Sequence, residues 1–393
     1  MKRISSIDIA RGFVMIIMAL DHTRDFLHGW SRTHNPVDLS VTTPLLFFTR
    51  WITHFCAPSF VFLAGASAAI QLQRTTNPAK TRGWLLRRGL ILIAVEFTLV
   101  NFGLSFDPKF RVLIFEVIGT IGAGMIFVSF LSRLPYAWLL AVAVLLFAGH
   151  ELLPVPQGMA MAVPDSSLTL RIIRTFGWSL GTFQPGANLL IIVAYPILPW
   201  LGIMLTGFVA ARWFQNAETK RRRLFLRTGL IALSLFLVLR LLNGYGDPAP
   251  WSAQKTPLFT LLSFLNVTKY PPSLLFGLLT LGGLFFILAA AEDRDNRITR
   301  VLLVYGRVPL FYFILHIYLI HLILLIVVLA QGFTFSQLSF ANMDFGRPPS
   351  GGGLPTWCIY PIWLAVVIAL YPACRWYGRY KATHPEKTFL RYL

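Results

Sequence analysis

The sequence predicts an all-α, polytopic integral membrane protein of about ten transmembrane helices with both termini cytoplasmic, and three observations carry that prediction. Of 393 residues, 56% are hydrophobic and only 13% are charged, about half the charged share of an average soluble domain. Apolar runs near the length that crosses a hydrocarbon core recur along the whole chain. The net charge of +19 comes from 35 Lys and Arg against 16 Asp and Glu. These bases fall in short clusters beside the apolar runs, which suggests a membrane protein rather than a nucleic-acid binder with one continuous basic patch. Cys56, Cys358 and Cys374 are too few and too scattered for a disulfide framework or a zinc site, so no metal is expected.

The predicted spans cover residues 7–28, 51–72, 84–103, 111–131, 135–153, 187–212, 224–243, 273–291, 304–329 and 357–377, within a single domain over 1–393. In the first, Lys2 and Arg3 precede an apolar stretch as they do in a signal peptide. Arg11 interrupts that stretch, and Asp21, His22, Arg24 and Asp25 fill the place of a cleavage site, so it reads as a retained helix. The second span carries Pro58 and the small residues Gly65, Ala66 and Ser67, the composition of a kinked, closely packed helix. Arg87 and Arg88 open the third, with Glu96 and Asn101 deeper, and the fourth contributes Glu116. The fifth to eighth spans and the tenth rest on apolar length alone. The ninth, YGRVPLFYFILHIYLIH, has Arg307 at one end, Tyr312 and His316 one turn apart, and His321 farther along.

Alternate connections hold 22 and 9 Lys or Arg residues, which puts both termini and the short basic loops in the cytoplasm. The long connections 29–50, 154–186, 244–272 and 330–356 then lie outside, rich in turn formers such as Pro154, Pro156, Pro164, Pro271, Pro272 and Gly351–Gly353. No tandem repeat is visible, which disfavours the repeated architecture common among secondary transporters.

Ionisable groups at membrane depth are candidate functional residues because they are costly to bury. The first helix places Asp8, Arg11, His22 and Asp25 on one stripe, since eleven residues advance a helix by close to three whole turns. Arg11 and His22 are then roughly 16 Å apart along the axis, so any cofactor spanning them is extended. A plainer reading pairs Asp8 with Arg11 and leaves His22 and Asp25 at the wet outer end. His28, His34 and His54 fall on that same outer side. Arg87 and Arg88 are either snorkelling anchors or phosphate ligands, and His316 either bonds a tyrosine or carbonyl structurally or belongs to the site.

The segments RISSIDIARG, ALDHTRDF, FTRWITHFCAPSFVFLAG and YGRVPLFYFILHIYLIH resemble bacterial membrane proteins of the heparan-alpha-glucosaminide N-acetyltransferase-like family, within a wider transmembrane acyltransferase superfamily. Arg11, ten residues and then His22 are also similar to the arginine-ten-histidine motif of bacterial membrane acyltransferases that modify surface polysaccharides. The resemblance implies a multi-pass protein of the bacterial inner membrane. It would take acyl-CoA, acetyl-CoA or another, from the cytoplasm and pass the acyl group to an amine or hydroxyl of a sugar or glycolipid outside. It makes His22, or one of His28, His34 and His54, the catalytic base or acyl carrier. A histidine suits the base role, and Asp25 is placed to orient it. Arg11, Arg87, Arg88 and Arg307, with His316 on the same late helix, are the expected cofactor-binding residues. Besides acyl-CoA and the acceptor, membrane lipid is an expected partner, nucleic acid is not, and a homodimer is compatible with the sequence. The competing reading is a transporter or flippase for a small solute or lipid-linked sugar, with the buried charges as substrate or proton sites.

Overall fold

The computed structural model describes residues 4–32, 34–152, 167–341 and 343–391; Lys2, Arg3, Pro154, Pro156 and Pro164 lie outside them. Helix α1 (Ser5–Leu27) is followed by α2 (Pro44–Trp51), which runs through a 3₁₀ turn into α3 (Cys56–Arg74). Asn77 caps α4 (Pro78–Val95), which continues through a π-helical turn, Glu96–Val100, into α5 (Asn101–Ser105). Next come β1 (Val112–Phe115), α6 (Val117–Leu131), α7 (Tyr136–Ala148), α8 (Leu168–Gly177), β2 (Gly181–Gly186), β3 (Leu189–Val193) and α9 (Ile197–Ala210). The rest is helical: α10 (Glu218–Leu242), α11 (Pro257–Leu265), α12 (Leu274–Ala291), α13 (Arg297–Gly306), α14 (Pro309–Ala330) and α15 (Thr356–Thr383).

Among the described residues, six helical stretches are long and apolar enough to cross a membrane: Pro44–Arg74, Ile197–Gln215, Glu218–Leu242, Leu274–Ala291, Pro309–Ala330 and Thr356–Thr383. The other four expected spans also contain helices. Charge removes two from the apolar set, Asp8, Arg11, Asp21, Arg24 and Asp25 in α1 and Lys80, Arg82, Arg87 and Arg88 in α4. Length removes the others, because α6 has 15 residues and α7 has 13. The protein is therefore a mostly helical membrane protein with one departure from the all-α expectation. Residues 112–115 and 189–193 are strands, in a three-stranded sheet of order β1-β3-β2. Strand β1 pairs parallel to β3 from Val112↔Leu190 to Phe115↔Val193, and β2 pairs antiparallel to β3. Short apolar runs such as VLIF and LLIIV, rich in branched side chains, fit strand as well as helix, and here sheet pairing decides. Phe176 of α8 packs on Phe115 and Phe183, covering one side of the sheet.

Helix α1 runs through the interior, with sixteen of its 23 residues buried. Its approach to α13 is backbone on backbone. A Cβ at Gly12 would stand 1.9 Å from the Leu302 carbonyl oxygen, and one at Gly306 would stand 1.8 Å from that of Asp8. Gly65 and Gly207 join α3 to α9 in the same reciprocal way, each 2.0 Å from a facing carbonyl oxygen. Small residues permit this approach where lipid supplies no hydrophobic force between helices. Trp363 of α15 donates to the Ile16 carbonyl at 2.7 Å. At the end of the bundle near the α1 N-terminus, Ser6 donates to Glu292 at 2.6 Å, and the Arg221 guanidinium closes on the other oxygen of that carboxylate at 2.5 and 3.0 Å. All three cysteines are free thiols; Cys56 donates to the Val14 carbonyl at 3.4 Å.

The long connections are held by buried polar groups. Arg240, at the end of α10, donates to the carbonyls of Ala249, Ser263, Phe264 and Asn266 at 2.8 to 3.0 Å. Asp247 accepts from the Thr268 amide and hydroxyl and from Ser273 at 2.6 to 2.9 Å. These bonds fix the segment 244–272. Between α5 and β1, burial alone would raise the Asp107 carboxyl, but Arg111 Nε at 2.8 Å and the amides of Lys109 and Arg111 hold it below its ordinary range.

Replacing Gly306 with valine should cost about 1–3 kcal/mol through overpacking, seen as a lower thermal midpoint in detergent. Gly83→Ala, where an added Cβ meets nothing within 4 Å, should hold or raise the midpoint.

Candidate functional site

Of the cavities along the stripe of α1, two adjoin and share Met18, Phe60, Val117 and Phe313 as common walls. The first is the arginine cavity. Arg11, Arg88, Arg307 and Lys381 line it, with Trp84 and otherwise chiefly apolar side chains such as Met15, Leu92, Ile121 and Met125. Arg11 donates to Ser67 Oγ at 2.7 Å and to the Leu63 carbonyl at 3.0 Å, with Asp8 at 3.7 Å. The Arg88 guanidinium lies 5.2 Å from the Trp84 ring. Arg87 is exposed, and its Nε donates to the Gly83 carbonyl at 3.3 Å. One residue is 100° of helix, which is enough to turn Arg87 away from the group that includes Arg88. Lys381, near the end of α15, takes the fourth place; nothing in the sequence ties so distant a lysine to this group.

The second is the histidine cavity, lined by Asp21, His22, Asp25, Arg50, Glu116, Lys269 and Arg347 together with Tyr195, Tyr270, Met343 and Phe345. His22 does not bond Asp25. Its Nδ1 lies 2.7 Å from His316 Nε2, with the two ring planes 3° apart. His316 is fully buried, and its Nδ1 lies 2.9 Å from the Tyr312 carbonyl oxygen. A carbonyl only accepts, which assigns the proton to His316 Nδ1 and leaves Nε2 as the acceptor of the neutral ring. His22 Nδ1 is then the donor, and His22 Nε2 carries the lone pair. A backbone carbonyl thus sets the tautomer of a histidine in the cavity wall, the arrangement a general base requires. His316 accordingly sits behind His22 rather than among the arginines of the first cavity.

Asp21 organises the charges around this pair. It meets Arg24 Nη2 at 2.7 Å and Arg50 Nη1 at 2.8 Å and accepts from Thr53 Oγ1 at 2.9 Å. Asp25, with its side chain 49% exposed, meets Arg24 at 2.5 Å. Arg347 donates from Nε to the Phe26 carbonyl at 3.0 Å and from Nη2 to the Asp25 carbonyl, tying the 330–356 segment to the end of α1.

Glu96 is fully buried and accepts from the amides of Glu116 at 2.8 Å and Gly119 at 3.1 Å. A carboxylate is favoured at a helix N-terminus, and this one fixes the start of α6 and so the backbone of Glu116. The π-helical turn beginning at Glu96 and the bonds of Asn101 to Ile114, 2.9 Å to its carbonyl and 2.6 Å from its amide, carry out the same alignment.

The other candidate histidines stand outside both cavities. His28 bridges Ser31 at 2.7 Å and Thr356 at 2.9 Å. His34 is exposed and stacks on Trp30 at 4.5 Å. His54 is buried with its ring 5.5 Å from that of Phe276. Proximity in sequence places all three near His22, but each is committed to packing that the sequence does not display.

A family model described as heparan-alpha-glucosaminide N-acetyltransferase, catalytic, matches residues 3–239. The chain belongs to this family. No curated protein matches the chain. Membership in the heparan-alpha-glucosaminide N-acetyltransferase family makes acetyl transfer at a membrane its general activity. The matched region contains Arg11, Asp21, His22, Arg50, Arg88 and Glu116; Lys269, Arg307, His316 and Lys381 come from beyond it.

Asp21→Ala should lower stability by about 3–5 kcal/mol, because it leaves Arg24 and Arg50 as buried charges without their shared partner. Asp25→Ala, at the exposed end, should change it by at most about 1 kcal/mol. Thermal unfolding in detergent measures both.

Proposed function

We propose that the protein transfers an acyl group, acetyl in the first instance, from acyl-CoA bound at the arginine cavity to an amine or hydroxyl of a sugar or glycolipid held in the histidine cavity. In this reading the ten helices α1, α3, α4, α6, α7, α9, α10, α12, α14 and α15 span a bacterial inner membrane with both termini cytoplasmic. The arginine cavity then faces the cytoplasm and the histidine cavity faces outward. The supporting observation is that the two cavities share walls at Met18, Phe60, Val117 and Phe313, with Arg11, Arg88, Arg307 and Lys381 along one and His22, backed by His316, in the other. A thioester arm is extended, and its phosphates call for several fixed cations. Arg11, Arg88, Arg307 and Lys381 supply four in the right place, and the apolar walls suit the arm between them and His22.

The chemistry follows from the assigned tautomers. As the acceptor nitrogen or oxygen attacks the thioester carbonyl, its proton passes to His22 Nε2. The imidazolium so formed shares its cavity with Asp21 and Asp25. Collapse of the tetrahedral adduct breaks the carbon–sulfur bond, and the proton held on His22 goes to the departing thiolate. Acylated acceptor and free CoA result, with no net change in charge for a neutral nucleophile. A carrier requires a passage through the protein too, but it has no need of an imidazole whose proton is fixed by a backbone carbonyl, and this favours transfer over transport.

Labelled acetyl-CoA and a set of amino sugars, with the purified protein in detergent, test the reading. His22→Ala should reduce transfer by about 10²–10⁴-fold, the usual contribution of a general base. Full activity in that variant sinks the assignment. Arg88→Gln should raise KM for acetyl-CoA about tenfold through loss of one charge-assisted bond, whereas Arg87→Gln should stay within about twofold; equal effects of the two would place the donor elsewhere.

A further inference from the structure

The sheet stands at the end of the bundle that holds the histidine cavity, because Glu116 follows β1 directly, Tyr195 lies just past β3, and both line that cavity. Helix α8 covers this sheet with one face only. Ile172, Thr175 and Phe176 turn inward at helical spacing. Ile172 and Phe176 join an apolar cluster with Phe115 and Phe183 of the sheet and with Ile93 and Phe97 of α4 and its π-helical turn. Helix α8 therefore lies against the flank of the bundle, beside a stretch whose Leu90 and Leu99 side chains are 54% and 46% exposed. In a membrane protein an apolar flank of this kind faces lipid.

The free face of α8 continues that apolar surface. Leu170 and Ile173, one turn apart on the side away from the sheet, are 56% and 54% exposed. Arg171 and Arg174 form a basic edge between this stripe and the sheet-facing side, and α8 contains no acidic residue. The Nε of Arg171 has no hydrogen-bond partner among the described residues. An apolar stripe bordered by arginines matches the leaflet boundary, where acyl chains meet phosphates.

We propose that α8 is an interfacial helix, with Leu170 and Ile173 in the acyl region of the leaflet at this end of the bundle and Arg171 and Arg174 binding the phosphates of anionic phospholipids. One stripe on a helix of 10 residues presents far less area than a stable interface with a second copy needs, and its basic edge fits an anionic leaflet. Lipid bound there secures the sheet, and with it the backbone that leads from β1 into Glu116. The proposal goes beyond the transferase reading and stands or falls without it.

The test uses the full chain in lipid nanodiscs, with Cys358→Ser to remove the half-buried thiol and a bimane label on Ile173→Cys. Phosphatidylcholine brominated on its acyl chains should quench the label, and aqueous iodide should not. Brominated phosphatidylglycerol, mixed in at the same mole fraction, should be enriched at the label by about fivefold or more, the worth of one arginine beside an anionic surface. That preference should fall toward one in Arg171→Gln/Arg174→Gln and be kept in Arg171→Lys/Arg174→Lys, which retains both charges and so guards against mere misfolding. Quenching by iodide without quenching by brominated lipid puts the helix in water and overturns the proposal. A label shielded from both quenchers means that protein covers the stripe, which overturns it equally. So does a lipid preference near one in the wild type, or one that survives the glutamine substitutions.

Discussion

The contact of α1 with α13 is the constraint on which the rest of the structure depends. At Gly12 and Gly306 the two backbones leave no room for a Cβ, so α1 is drawn into the interior with its ionisable stripe intact. In hydrocarbon every polar group must find a partner inside the protein, and a helix bearing Asp8, Arg11, Asp21, His22, Arg24 and Asp25 can be buried only if its neighbours supply them. They do so residue by residue: Ser67 and a carbonyl for Arg11, Arg50 and Thr53 for Asp21, His316 for His22. The site is thus the set of solutions to a solvation problem posed by one helix. This is why its members come from so many parts of the chain.

Much of this was legible in the sequence because helical periodicity is local. The stripe of Asp8, Arg11, His22 and Asp25 follows from 3.6 residues per turn, and Arg11 and His22 do line the two adjoining cavities. The family resemblance was equally readable, since its motifs are contiguous. Contacts between distant segments were not. The partner of His22 is 294 residues away, whereas Asp25, one turn along the same helix and the partner that spacing alone suggests, pairs with Arg24. In the sequence Lys269 is simply one of the nine loop cations, and its burial rests on Arg240 and Asp247 holding a segment whose composition shows only turns. The sheet was missed for a related reason: four or five apolar residues do not reveal their period without the strand they pair with.

The two cavities divide the electrostatic work. In the arginine cavity Arg11 is held by Ser67, with Asp8 at 3.7 Å, and Arg88 lies against the Trp84 ring. In the histidine cavity the carboxylate of Asp21 is neutralised by two arginines, so its charge reaches His22 already compensated. Low dielectric magnifies any imbalance there, and pairing of this kind lets a transient imidazolium form without attracting a competing counter-ion.

The choice of His316 rather than a carboxylate as the partner of His22 follows from the same economy of charge. A carboxylate bonded to His22 Nδ1 would hold the ring firmly as an imidazolium in so dry a setting and take away the lone pair a base requires. A neutral imidazole, itself oriented by the Tyr312 carbonyl, fixes the tautomer equally well and adds no charge. Asp21 and Asp25 line the same cavity as the proton that the proposed transfer would place on His22, yet each is committed to an arginine beforehand. Orientation and charge stabilisation, often assigned to a single aspartate in a triad, fall to different residues in the proposed mechanism. That separation suits a membrane interior, where a permanent ion pair at the base would bind its proton too tightly to give it back.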